Sequence, residues 1–427
     1  MKFLLYSKGK LDKKQNNSFW ILFLFFYTFF FSITAYRIIW SLESLSRILG
    51  IIVISILLFQ VIYRLFNSFF SLSLWILYLI PGLLISLGFI INFSVSAISD
   101  ISTISYFGLL VPWLIYLIIP VYMKLKKINL EILWLYYYRF MLWSNILGIL
   151  DYILYLNSTS LRVLETQYGT FLGANFSIFH MISNEYGVAH FRYYSCFIEP
   201  GNLAMMLLPA IAYAIYFKKY FSLLIFLPAF YLTFSLGGNI SLALLFFLML
   251  SKKFIKNKLY LVVFPLFASF FIIIFFSLTF DSFKDSYDSR GESAEVREQN
   301  LINGLKNIPK IIINHPLGLK LKNKTSEIEE KNDLFVGTNF SPLSFLQNGG
   351  ILSFIGFISI LIISFFICLV HFIKFKLSKI ERVAYISLLV IFPFIFQRTT
   401  IFEIATYSFL YCPLIITYIN EKINFKR

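Results

Sequence analysis

The sequence is poor in charged residues, cysteine and histidine. Charged side chains make up only 14% of its 427 residues, whereas a soluble domain has about 25%. Hydrophobic residues make up 59% of the chain and aromatic residues 20%, and the mean hydropathy is +0.78. This composition argues against a water-soluble enzyme, a nucleic-acid-binding domain or a disordered chain. It indicates an integral membrane protein, with no nucleic acid among its partners.

Sequence motifs that commonly bind metals or nucleotides are also missing. The three cysteines, Cys196, Cys368 and Cys412, show no CxxC spacing and no disulfide framework, and only four histidines accompany them. The chain has no P-loop, no GxGxxG, no HExxH and no DxD-like acidic pair in an outer loop. The sequence therefore predicts neither a metal site nor a cofactor, and does not support a nucleotide-sugar transferase site with its metal.

Long apolar segments predict an all-α, polytopic membrane protein, since a span needs roughly 20 apolar residues. The first segment follows five lysines without a clean cleavage site, and we read it as a retained span. Segments seven and eight are short, so they form either a helical hairpin or one broken re-entrant element. The twelve segments are 18–36, 48–63, 72–93, 106–123, 131–156, 201–217, 221–234, 239–251, 259–280, 349–373, 383–397 and 402–419.

The basic residues orient these twelve spans. With both termini inside, the inner segments hold 22 of the 37 basic residues against four of the 21 acidic ones, a net charge of +18. The rest of the chain holds 15 basic and 17 acidic residues, a net charge of −2. Because lysine and arginine accumulate on the cytoplasmic side of membrane proteins, both termini are predicted to be cytoplasmic.

This threading divides the chain into five regions and leaves two long outer loops, of the kind that usually carries function. We expect soft helical content in both loops. Residues 292–313 read as an amphipathic helix, with Val296, Leu301, Leu305 and Ile308 on one face and an end or kink at Pro309. The regions are 1–156 (spans one to five), 157–200 (first outer loop), 201–280 (spans six to nine, with the broken pair 221–251), 281–348 (large outer loop) and 349–427 (spans ten to twelve).

The first cluster of candidate functional residues lies where the first long loop re-enters the membrane. Arg192 offers a planar, charged fork that suits phosphate oxygens. Pro200 suits the first turn of a helix, whose free amide groups attract anions. These residues predict a phosphate pocket at the outer interface, or else an ion pair between Arg192 and Glu199 that holds the loop down. The other candidates in this cluster are His190, Tyr194 and Asn202.

Further candidates lie in the large loop and inside the spans. The loop carries Arg290, Arg297, His315 and Asn339, and a lone arginine in a polar loop is usually a solvated surface charge. Ionisable residues inside spans are functional candidates by default. We expect Arg139 to be a snorkelling or pairing residue, and His180 and His371 to be structural. The charged residues expected near the outer interface, where they could line a cavity, are Asp151, Arg398 and Glu403.

The order of these motifs resembles the Wzy family of O-antigen and capsule polysaccharide polymerases and its relatives, the WaaL O-antigen ligases. The block from Arg192 to Asn202, RYYSCFIEPGN, resembles the R-x-x-x-x-F-x-E-P block that precedes a span in that family. Four further features follow in the order that the family shows. They are a broken pair of spans around 234–239, an outer loop with Arg297, the turn 316–318 and the span opening 348–352. The resemblance covers roughly residues 185–375. Thr338 stands where ligases and some polymerases have histidine, and the Ser-x-Ser-Arg-like tip lacks its arginine here.

The resemblance implies a metal-independent glycosyltransferase of GT-C-like architecture in the bacterial inner membrane, with its active site on the periplasmic face. The growing chain would pass from undecaprenyl diphosphate to the non-reducing end of a new undecaprenyl-diphosphate-linked unit. It implies Arg192 and Arg297 as diphosphate clamps, Arg290 as a weaker third, Glu199 as acceptor-orienting group or base, and Asn339 as a sugar contact. A chain-length regulator and a flippase would be its partners.

Three other functions remain open from the sequence. A ligase that joins polymer to lipid A core is weakened by Thr338. A flippase or transporter of lipid-linked oligosaccharides would place its polar groups at the midplane, whereas here they lie at the outer interface. A membrane scaffold without activity is opposed only by the clustered arginines.

Overall fold

The computed structural model describes residues 52, 55, 56, 59, 80–96, 130–157, 162–166, 169–182, 190–197, 199–254, 291–319, 341–373 and 378–397. This part of the chain is mostly helical. Its helices are α1 (Ile80–Ser96), α2 (Leu130–Leu156), α3 (Pro200–Tyr216), α4 (Tyr220–Tyr231), α5 (Leu236–Phe254), α6 (Gly291–Asn314), α7 (Ser341–Ile373) and α8 (Lys379–Gln397). Its strands are β1 (Arg162–Thr166), β2 (Gly169–Gly173), β3 (Ile178–Ile182) and β4 (His190–Tyr193).

The apolar segments that fall in these ranges are helices, as the sequence predicted. Residues 221–251 form two separate helices, α4 and α5, of which α4 packs against α2 and α3 while α5 packs against α3 and α8. Helix α8 begins with a capping box, in which Ser378 and Glu381 each bond the other's backbone amide. The predicted spans at 18–36, 106–123, 259–280 and 402–419, and nearly all of 48–63, lie outside the described residues.

Length and composition alone single out one membrane-crossing candidate among the described helices. It is Pro342–Phe365 within α7, with a mean hydropathy of 2.0 over its most apolar window. Shorter apolar helices occupy Ile80–Val95, Pro200–Tyr216, Tyr220–Tyr231 and Gly237–Met249.

The first long loop contains a β-sheet, so the expectation of an all-α protein with soft helix in this loop is wrong. Strands β1 to β4 form an antiparallel meander in the order β1-β2-β3-β4. The strands are four or five residues long and rich in β-branched and aromatic side chains, which fit a pleated surface. Segments this short show too few repeats for an alternating pattern to stand out from a helical one.

Helix α3 lies at the centre of the bundle. Every residue from Pro200 to Ala214 is buried, and the helix packs against α2, α4, α5 and α8. Helix α7 crosses α1 at small residues: a methyl group at Gly88 would lie 2.2 Å from the carbonyl oxygen of Gly349. The hydroxyl of Ser353 donates to the carbonyl oxygen of Ile85 at 2.8 Å in the same crossing. Small residues here allow the backbones to approach closely.

The region 281–348 contains the predicted amphipathic helix. Helix α6 spans Gly291–Asn314, which confirms the prediction for 292–313, but it continues through Pro309 instead of ending there. Its packed face is shifted from the predicted one, because Leu305 is 55% exposed whereas Ile311 is fully buried. Ile311 contacts Leu319 and, on α7, Leu343 and Leu346. The four form a small cluster that joins the loop to α7.

Candidate functional site

Strand β4 is fixed to helix α2 through Tyr193. The Tyr193 side chain is fully buried, and its hydroxyl lies 3.3 Å from Oδ1 and 3.4 Å from the carbonyl oxygen of Asn145. Gly148 makes room for the ring, since a methyl group there would lie 2.1 Å from the Tyr193 hydroxyl. Burial raises the pKa of Tyr193 well above its usual value, so the phenol stays a neutral hydrogen-bond donor at pH 7.

Arg192, the neighbouring residue, lies against the turn between α4 and α5. Its Nε donates to the backbone carbonyl oxygen of Thr233 at 3.2 Å, and the amide of Tyr193 donates to the carbonyl oxygen of Leu232 at 3.0 Å. The Arg192 side chain is half-buried. The fold thus joins two motifs that are about 40 residues apart in sequence, the block at 192–202 and the break at 234–239.

The turn at 232–235 is tightly built. Phe234 has a φ of 47°, a left-handed conformation that a bulky residue adopts only where the surroundings enforce it. The Thr233 hydroxyl donates to the carbonyl oxygen of Phe230 at 2.7 Å. Ser235 caps α5, because its hydroxyl oxygen accepts a hydrogen bond from the Gly238 amide at 3.2 Å. These bonds hold the Thr233 carbonyl that Arg192 contacts.

Helix α3 starts as the sequence predicted, with Pro200 in its first turn and Glu199 as the N-cap residue. The Glu199 side chain is exposed and makes no capping hydrogen bond, while its carbonyl oxygen accepts bonds from the amides of Asn202 and Leu203. Asn202 is 4% exposed. Glu199 thus begins α3 through its backbone carbonyl, and its side chain is exposed.

The N-terminal ends of α3 and α5 lie side by side. A methyl group at Gly238, in the first turn of α5, would lie 2.9 Å from the Cβ atom of Ala204, near the start of α3. Each helix start carries roughly half a positive elementary charge from its unpaired amides. Together with the Arg192 guanidinium against the turn before α5, they make a concentrated positive region that suits an anion.

The remaining residues of the block are mostly structural. Tyr194 is 5% exposed and Cys196 and Phe197 are fully buried. Ser195 has a φ of 51°, and its hydroxyl donates to the carbonyl oxygen of Ser144 on α2 at 3.0 Å. The burial of Tyr194 places this predicted substrate contact in the core of the fold.

The strand register places His180 directly opposite Arg192, a relationship that sequence reasoning missed. The paired positions are His180 with Arg192 and Ile182 with His190. Residues opposite each other in an antiparallel pair share a face of the sheet, and so do residues two apart in one strand. His180, His190 and Arg192 therefore occupy positions on one face, opposite to that of Tyr193. Only the strand pairing reveals this, since His180 and Arg192 show no common motif.

The second pair of motifs also meets. The turn 315–318 docks where α7 is kinked at Gly350. There the Leu319 amide donates to the Gln347 carbonyl oxygen at 2.7 Å and the Ile351 amide to the Pro316 carbonyl oxygen at 2.9 Å. His315 itself is half-buried at the end of α6. The buried side-chain amide of Asn92 on α1 donates to the Asn348 carbonyl oxygen at 2.8 Å and to the Leu319 carbonyl oxygen at 3.4 Å, which ties α1 both to α7 and to the end of this turn.

The other predicted site residues are placed as follows. Arg297 lies on α6, and Arg139 lies exposed on α2. Asp151 is buried at 2% exposure and binds the turn between β2 and β3. Arg290, Asn339, Arg398 and Glu403 lie outside the described residues.

Within the described ranges, no group of three or more histidine, cysteine, aspartate or glutamate side chains could hold a metal ion. Comparison of the chain with protein-family models, with curated proteins and with solved structures gave no match.

Proposed function

We propose that the chain is a polymerase of lipid-linked oligosaccharide repeat units in the bacterial inner membrane, acting on the periplasmic side. The observation that carries the proposal is the contact between Arg192 and Thr233, which brings a half-buried guanidinium to the start of α5. It unites the two sequence motifs on which the resemblance to polysaccharide polymerases depends. The adjoining start of α3 adds a second positive helix end.

The chemistry of the transfer needs such a region. A hydroxyl oxygen of the acceptor sugar attacks the anomeric carbon of the donor chain, and the bond from that carbon to the lipid diphosphate breaks. The diphosphate leaves with the bonding electron pair, and the hydroxyl proton passes to a base or to solvent. Donors aimed at the departing negative charge stabilise this step, and a guanidinium can bind two phosphate oxygens at once.

The proposed roles follow from this step. Arg192 holds the diphosphate at the two helix starts, and Arg297 on α6 is the second clamp. Glu199 lies at the N-cap of α3 with its side chain exposed, where a carboxylate can orient the acceptor hydroxyl or accept its proton. Asn202 is buried one turn further into α3, so its role is to support this helix start.

The membrane setting and the twelve-span topology are part of the proposal. Helix α4 is apolar on all sides, with Phe221 76%, Leu224 68% and Tyr231 70% exposed. Such a surface suits lipid, because soluble monomers rarely expose large contiguous apolar patches. The distribution of lysine and arginine supports a cytoplasmic location for both termini.

Replacing Arg192 tests the proposed reaction. In cells that make the repeat unit, Arg192→Ala should lower polymer formation on the order of 100-fold, as removal of one charge-stabilising donor does in other enzymes. Arg192→Lys keeps the charge but loses the planar fork, so it should retain part of the activity. The readout is the polymer ladder on a gel, scaled to the amount of protein in the membrane.

Arg139→Ala is the matched control, because Arg139 is an exposed arginine on α2 away from the β4 block. It should give polymer of normal length. Full-length polymer from Arg192→Ala would refute the clamp. Deletion of the gene separates a polymerase, whose loss leaves single-repeat caps on the lipid A core, from a ligase, whose loss leaves none.

A further inference from the structure

Asp151 is the one carboxylate among the buried polar side chains of the described residues. It lies near the C-terminal end of α2 and is 2% exposed. Its Oδ2 accepts a hydrogen bond from the Phe176 amide at 2.6 Å and one from the Ser177 hydroxyl at 3.1 Å. A buried carboxylate is costly unless such bonds compensate for the lost water. Both donors belong to the turn between β2 and β3.

The bound turn leads directly into the pairing with β4. The Ala174 amide donates to the Ser177 carbonyl oxygen at 2.9 Å, which closes the turn. The next residue, Ile178, donates its amide to the Ser195 carbonyl oxygen at 2.9 Å and accepts from the Tyr194 amide at 3.3 Å. Asp151 therefore holds the start of β3, and β3 in turn holds the chain just after Arg192.

The same face of α2 binds the end of β4. Ser144 and Asn145 accept the bonds from Ser195 and Tyr193, and Gly148 leaves space for the Tyr193 ring. Asp151 follows at helical spacing on this face, three residues after Gly148. One stripe of α2 thus determines where the sheet lies, and Arg192 reaches Thr233 from that sheet.

From this geometry we infer that Asp151 is a positioning residue, which fixes the β-sheet on α2 and thereby sets the Arg192 guanidinium against the turn before α5. The role in polymerisation rests on the proposed function, whereas the anchoring of the sheet does not. Loss of Asp151 leaves the buried Ser177 hydroxyl and the part-buried Phe176 amide without this acceptor and frees the start of β3.

The fully buried thiol of Cys196 reports on the sheet without any need for activity. In a chain with Cys368→Ser and Cys412→Ser, Cys196 is the single cysteine, and its reaction with a membrane-permeant maleimide measures opening of the block. Asp151→Ala should raise the labelling rate about tenfold. Ser177→Ala removes only one of the two hydrogen bonds, so it should raise the labelling rate by a smaller factor. Asp151→Asn keeps an acceptor oxygen and should stay protected.

Asn157→Ala, at the exposed residue directly after α2, is the control, since its side-chain amide donates to the Ile153 carbonyl oxygen within the end of that helix and not to the sheet. It should leave labelling and polymer unchanged. Asp151→Ala should shorten the polymer at equal protein amount, and Asp151→Asn should restore it. That rescue distinguishes positioning from a general loss of folding.

Unchanged Cys196 labelling in Asp151→Ala would overturn the inference, whatever the polymer shows. If the Asp151→Ala protein does not accumulate, the Ser177→Ala variant provides the test. A Cys196 labelling rate equal to that of the parent chain would then overturn the inference. If Asp151→Ala speeds up Cys196 labelling but still makes full-length polymer, the positioning role is overturned. If Arg192→Ala also makes full-length polymer, the proposed function fails while the anchor stands.

Discussion

Arg192 Nε donates a hydrogen bond to the backbone carbonyl oxygen of Thr233 at 3.2 Å, across 41 residues of sequence. Between the two residues the chain passes through α3 and α4. The bond therefore closes a unit in which β4, the turn 232–235 and the starts of α3 and α5 depend on each other. Changes at any of these places should act on the same region.

Removal of the Ser235 cap should weaken that unit. In Ser235→Ala the Gly238 amide loses its acceptor, which should cost about 1 kcal/mol in the free energy of unfolding. Because Ser235 belongs to the turn that Arg192 contacts, polymer formation should fall as well. Thermal unfolding of the detergent-solubilised protein and the polymer gel measure the two effects. Ser94→Ala, at an exposed residue of α1, is the control and should change neither.

Gly148 and Tyr193 should show strong coupling. Gly148→Ala forces a methyl group to 2.1 Å from the Tyr193 hydroxyl and should destabilise the protein by about 1–3 kcal/mol. Tyr193→Phe removes that hydroxyl at a cost of about 1 kcal/mol. The double variant should be more stable than the sum of the two costs predicts, because the closest contact is gone. Strict additivity in a double-mutant cycle would contradict this packing.

Gly350 should tolerate no side chain. Its φ of 64° and ψ of −164° belong to a region that is essentially restricted to glycine, and a methyl group would lie 2.4 Å from the Pro316 carbonyl oxygen. Gly350→Ala should therefore destabilise the protein by more than about 2 kcal/mol and separate the turn 315–318 from α7. Ile355→Ala, at an exposed residue on the same helix, should be nearly neutral. Equal stability of the two variants would refute the docking of this turn.

The proposed topology makes a direct prediction about sidedness. Asn157 follows α2, and Lys218 lies between α3 and α4; both are exposed. In a cysteine-less chain, Asn157→Cys should react with a membrane-impermeant maleimide added from outside, whereas Lys218→Cys should react only after the membrane is opened. Reaction of both from the same side would contradict the twelve-span threading.

Local signals in the sequence were sufficient to predict the helices of the described residues and some of their ends. Apolar runs predicted the positions of the membrane-type helices, and a 3.6-residue pattern predicted α6. Pro200 indicated the start of α3, because proline lacks only an amide that a first turn does not need. In contrast, Pro309 did not end α6, since packing of Ile311 against α7 extends the helix beyond it.

The sequence by itself determined the apolar helices of the described residues and the residues of the block at 192–202, because these depend on neighbours within one or two turns. The tertiary structure alone decided the sheet in the first loop, the opposition of His180 and Arg192, and the burial of Asp151 beneath Phe176 and Ser177. It also decided that Arg192 lies against Thr233. Each of these is a hydrogen bond or strand pair between distant segments, and its partner is set by how the helices pack.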